Sequence, residues 1–179
     1  MWALFYARWV AMCDTNRNAI RSGNWYGNDT IWRTVYDVLK IWSYANKQGQ
    51  LQQEPQRKFL GIVDGIIGGE GNGPLAPKAK PSGICVAGYD PLAVDTTCAV
   101  LMGFDPEKIK ILAYAKRAKG FPISLVDRDA IECVSNFSEW NGHPSQFRNT
   151  LDFEPHFGWI HYVEALHRRV SQDHSGSSR

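Results

Sequence analysis

The sequence predicts an α/β protein with a small, at least partly parallel sheet flanked by helices. Two short apolar runs, Phe59–Val63 and Ile84–Ala87, are rich in strand formers, and each ends near an acid. A long glycine- and proline-rich segment, 65–81, separates them, and a helix signal follows the second run directly. Runs that are apolar at every position read as strands buried on both faces, the habit of parallel sheets. Strands alternating with helices imply layers of both.

The first element is a helix through Tyr44, with Asp29 or Thr30 placed to cap it. Ile31, Val35, Val38, Leu39 and Trp42 fall on one side of it and are expected to face the core. Residues 48–57, glutamine-rich and carrying Pro55, read as a loop. The first strand then closes at Asp64, and 65–81 is expected to be an irregular loop of the length that ordered proteins keep for function. The second strand ends near Gly88. Asp90 is an N-cap, Pro91 the first helical residue, and Gly103 the stop after Met102. Asp105–Pro106 repeats the cap-plus-proline device and opens a basic helix toward Lys119. Short strands are expected at 123–126 and 131–134, and a last helix at 159–170. A two-stranded sheet is marginal alone, so residues 1–12, residues 123–134 or partner chains are expected to add strands. The organisation predicted is an unassigned segment over 1–21, one domain over 22–170 and a disordered tail over 171–179.

Composition narrows the function. Hydrophobic residues make up 44% and charged residues 21% of the 179, which excludes wholesale disorder. Net charge is only +2, and the cluster Lys108, Lys110, Lys116, Arg117 and Lys119 suits one solvated helix, so no nucleic-acid partner is expected. The cysteines at 13, 85, 98 and 133 lack the C-x-x-C spacing of zinc and iron–sulfur sites. Cys85 and Cys98 are expected to be buried free thiols, which points to the reducing cytoplasm. Met1 to Cys13 is strongly apolar, yet shorter than the ~20 residues of a membrane span and interrupted by Arg8. It is expected to pack on the body, neither crossing a membrane nor being cleaved.

Candidate chemistry gathers where the strands are predicted to end. Ligands of open α/β sheets sit at strand carboxyl ends, and Asp64 and Asp90 are expected there together. In Gly68-Gly69-Glu70-Gly71-Asn72-Gly73-Pro74, glycines would let backbone N–H groups converge into an anion-binding nest. The candidate ligand-binding residues are Asp64, Gly69, Glu70, Gly71, Asn72, Gly73, Asp90 and Asp95. Asp64 and Glu70 are the candidate metal ligands, and their oxygens suit a divalent cation such as magnesium or calcium. The plainer alternatives stand beside these: Asp90 as a helix cap and the glycines as a tight turn. Asp64, between apolar residues, is expected near the core and in need of a partner. Asp95 shares its helix face with Leu92, Ala99 and Met102 and is expected to need one too. No nucleophile motif is present, and the aromatics Trp140, His156, Phe157 and Trp159 read as packing.

These blocks resemble the domain of unknown function 362 family. The carrying residues are Val63–Ile67, Gly69–Pro74, Pro81–Gly83, Ala87–Asp95 and Leu101–Pro106. Asn24–Thr34 and Pro155–Trp159 resemble a longer subgroup, and the likeness runs from about 22 to 160. The resemblance implies no settled activity and no agreed catalytic residues. Some relatives join this domain to a ferredoxin-like module with cysteine-ligated iron–sulfur clusters; this chain lacks those cysteine runs, so no cluster is expected in it. Relatives also carry a longer region before the Asn24 block, which implies a truncated copy. Two functions follow as expectations. One is a site for a small anion, or a metal-bridged anion, at the glycine-rich loop. The other is a non-catalytic binding or assembly domain that completes its sheet with a protein partner or by self-association.

Overall fold

The computed structural model describes residues 23–115 and 120–165. The expectations for residues 1–21, for the tail 171–179 and for Lys116 to Lys119 lie outside that range. So does the end of the last predicted helix.

Helix α1 spans Ile31–Tyr44. Thr30, one of the two expected residues, holds the N-cap position but makes no side-chain capping bond. Asn28 Oδ1 accepts the N–H groups of Thr30 and Ile31 at 3.1 and 2.9 Å, a local bond that satisfies orphan donors of the first turn. The predicted apolar stripe divides. Val35 and Leu39 are half-buried, whereas Ile31, Val38 and Trp42 are exposed. Tyr36 and Tyr44 take the buried face, because each hydroxyl finds a carbonyl there: Ile111 O at 2.5 Å and Pro122 O at 2.7 Å. A buried phenol needs such a partner, and satisfying two of them fixes the rotation of the helix.

Strands β1 (Gly61–Asn72) and β2 (Ala76–Gly88) form a two-stranded sheet. Its pairing is antiparallel, from Gly61 opposite Gly88 to Asn72 opposite Ala76, with an irregularity between Gly65 and Ile67. This corrects the parallel expectation. A parallel pair needs a crossover of a dozen residues or more, and the segment read as a loop is used up in strand. Only Gly73, Pro74 and Leu75 remain to turn the chain. The glycine-rich run is therefore the outer half of β1 plus its hairpin turn.

Helix α2, Pro91–Leu101, follows the prediction closely, with Asp90 accepting the Ala93 N–H at 3.0 Å. Its Leu92 and Ala99 form a buried cluster with Leu112 of the short helix α3 (Lys110–Ala113), and Val94 and Leu101 are also buried. The expected basic helix is broken: Asp105 caps only a 3-10 turn, Pro106–Lys108, before α3 begins. The strands expected at 123–134 are bends around a 3-10 turn, Arg128–Ala130, with one bridge from Cys133 to Gly142. The turn is anchored by Arg128, whose guanidinium reaches Glu107 and the Leu112 carbonyl, and Ile131 just after it is buried. The last helix does not begin at 159. Residues 157–162 are turns, and His161 sits at φ 63°, left-handed backbone that stops a helix. The mixed α/β class stands; the added strands are absent among the described residues. No helix among them is long and apolar enough to cross a membrane.

Candidate functional site

The glycine-rich motif receives another stretch of chain. Residues 151–154 run as a strap from the end of α2 to the outer hairpin: Leu151 and Phe153 donate to the carbonyls of Leu101 and Met102 at 2.7 and 3.0 Å. The Gly71 N–H then donates to the Glu154 carbonyl at 2.8 Å. Two glycines make this possible. A Cβ on Gly68 would lie 2.6 Å from the buried Phe153 ring, and Gly71 adopts φ +72°.

Charges fasten the same strap. Glu70 accepts the Glu154 N–H at 2.9 Å and lies 3.3 Å from Lys80 Nζ. Lys80 also donates to the Asp152 carbonyl at 3.1 Å, and Lys78 pairs with Glu154 at 2.6 Å. The Glu154 N–H, then Lys80, hold the Glu70 carboxyl below the usual range. Glu70 and Gly71 are thus occupied by the protein's own groups. The Gly73 N–H is bound locally to the Gly71 carbonyl.

The remaining acids are dispersed. Asp64 is exposed, not buried, inside β1 opposite Cys85, and accepts the Ile66 N–H at 3.2 Å. Asp90 lies beyond the end of β2, where it caps α2, accepts from Ser124 Oγ at 2.9 Å and receives the Leu125 N–H at 3.2 Å. Asp95 is exposed on α2, and Asn72 is exposed at the hairpin tip. No group of three or more His, Cys, Asp or Glu side chains suited to a metal occurs among the described residues. Cys85 is exposed, against expectation, and burial, then Asp95 and Cys133, push the Cys98 thiol up to about 11. A thiol so raised is a poor nucleophile.

A large concavity lies elsewhere. A cleft of about 1570 Å³ is lined by Gly83–Tyr89 in unbroken succession, by one side of α2 from Pro91 to Leu101, by the end of α1 and by parts of 122–137. No β1 residue lines it, so it runs along the edge of β2 that faces away from β1. Its margins are apolar and open: Val134 is 94% exposed, Tyr89 82% and Leu125 75%. Sequence reasoning missed this site. Val134 and Leu125 had been assigned to strands, and nothing local marks Ser124 as the partner of Asp90.

The two outlying blocks of the resemblance meet in space. Trp159 Nε1 donates to Asn24 Oδ1 at 3.0 Å, the Tyr26 N–H donates to the Gly158 carbonyl at 3.1 Å, and Tyr26 stacks on Tyr162. They pack, as expected of the aromatics.

Comparison with known proteins places the chain. It is 28% identical over 100 residues to the thylakoid-associated protein sll1697 of Synechocystis sp.. That match covers 51% of this chain and 31% of the relative, so the chain spans about a third of that relative's length. No solved structure matches. Residues 12–100 match the family model described as Domain of unknown function (DUF362), and the chain belongs to that family.

Proposed function

We propose that the chain is a non-catalytic binding or assembly domain, completed by a protein partner at the β2 cleft. One observation carries this reading: the β2 edge away from β1, unpaired among the described residues, borders a large cleft whose apolar margins stand in solvent. A hairpin of only two strands has little independent stability, and contiguous exposed apolar surface marks interaction sites. The free thiols of Cys85, Cys98 and Cys133 suit a reducing compartment, and the cytoplasm is the location we assign. The thylakoid association of the relative is that protein's own.

An open cleft should bind an anilinonaphthalene sulfonate dye. Paired Leu125→Lys and Val134→Glu substitutions, both at exposed positions, should cut the dye signal severalfold without unfolding the chain. Absence of dye binding by the wild type would sink the reading.

A second reading keeps the inner half of the hairpin as a site for a small anion bridged by a divalent cation at Asp64, well apart from Asn72 and Gly73 at the tip. It is favoured by Asp64, whose carboxylate is exposed and has only the Ile66 N–H as a described partner. Phosphate with magnesium should then raise the unfolding temperature of the wild type and leave Asp64→Asn unmoved. Equal behaviour of the two would remove this reading.

A further inference from the structure

We propose that the cleft takes one extended strand of a second polypeptide, which pairs along Gly83–Tyr89, the end of β2 and the residue that follows it. This rests on the cleft being a protein-binding site and adds the form and chemistry of the partner.

The backbone supplies the first reason. In an antiparallel pair, every second residue of β2 turns its N–H and C=O away from β1. Among the described residues, 83–88 form no backbone hydrogen bond other than those to β1. An apolar small molecule seated there would bury those groups unpaired, at a cost of the order of a lost hydrogen bond each. An added strand satisfies them, as in other cases of β-augmentation.

Size and shape supply the second. The volume of about 1570 Å³ exceeds the roughly 300–1,000 Å³ usual for small-ligand pockets. The lining stretch Gly83–Tyr89 would extend about 23 Å at ~3.3 Å per residue, the reach of a single short strand. A second copy of this chain fits poorly, because its own β2 edge also lies within a cleft and two concave surfaces meet at their rims first.

Charge and chain length supply the third. Lys58 and Glu132 line the cleft and form no ion pair among the described residues. The complementary strand is apolar at alternate positions and carries one acid and one base. The Synechocystis relative carries further polypeptide beyond the matched region, which is 31% of its length.

The probe is a synthetic peptide as long as Gly83–Tyr89, alternating valine and threonine, with lysine at one end and glutamate at the other. Two further versions carry N-methyl groups on alternate residues, one in each register. Hydrogen exchange of the β2 amides reads the pairing. The unmodified peptide should slow alternate amides over 83–89 by about tenfold or more, and one N-methyl register should abolish the effect while the other keeps it. Equal binding of all three peptides would overturn the strand inference while leaving the cleft reading intact. Failure of every peptide to bind at millimolar concentration would do the same, provided the dye still binds. Protection already present in the free chain and rising with its concentration would make a second copy the occupant and overturn the proposal. Unchanged peptide binding by the Leu125→Lys, Val134→Glu variant would place the peptide elsewhere and remove both readings.

Discussion

The outer and inner halves of the hairpin share one pair of strands but differ in what covers them. The outer half, Gly68–Asn72 with Ala76–Lys80, is fastened by the strap at 151–154 through backbone bonds, ion pairs and the Phe153 ring. The inner half, Gly61–Gly65 with Ile84–Gly88, is supported from α2 by Val94 and leaves its β2 edge on an open cleft. The half with the strongest apparent binding motif is the half already satisfied from within. The half that looks like plain apolar strand is the one with unmet valences. A motif rich in glycine and charge is thus a guide to close approach, and the approaching group can be the protein's own chain.

The largest blow to this contrast is Phe153→Ala. Phe153 is 6% exposed, and emptying such a site costs about 3–5 kcal/mol, measurable by denaturant unfolding. A loss below about 1 kcal/mol would mean the strap does not hold the outer half. Glu70→Gln should cost less, and in a pH-dependent way. The folded-state pKa of Glu70 lies below its unfolded value, so its contribution is present above the unfolded pKa and is lost as pH falls through the folded one. The gap in unfolding temperature between wild type and Glu70→Gln should therefore close on acidification. A gap that stays constant with pH would assign the contact no electrostatic part. Smallest of all, Val134→Glu at the margin of the cleft beside the inner half should change stability by no more than about 0.5 kcal/mol. A large loss there would show that Val134 is covered and would erase the contrast.

Sequence exposed those features that local chemistry decides. Asp90, Pro91 and Gly103 delimit α2 because cap, first turn and stop are each set by one residue's own conformational preference. The extent of α1 was equally legible, but its rotation was not, since Tyr36 and Tyr44 find their carbonyl partners in residues far along the chain. The hairpin was hidden for a different reason. Glycines give no alternating side-chain pattern, so strand and loop read alike from Gly68 to Gly73, and apolar runs buried on both faces look the same as runs that await a cover. Of the candidate site residues, Glu70 and Gly71 do converge with other groups, but those groups come from residues 152–154. Asp64 and Asp90 were grouped by assuming a strand direction that the turn at Gly73–Leu75 reverses.

The span of the strap has a consequence for how the molecule is made. The hairpin joins neighbours in sequence and can close in about 1–10 μs, whereas the bond from Glu154 to Glu70 links residues 84 apart. Contacts of that separation must first meet the entropy of closing a long loop. They belong late on the folding route, after β1 and β2 have paired. A weakened strap then leaves the refolding rate nearly untouched and lets the native chain come apart sooner. The motif that looked like a ligand cradle would act as a brake on unfolding.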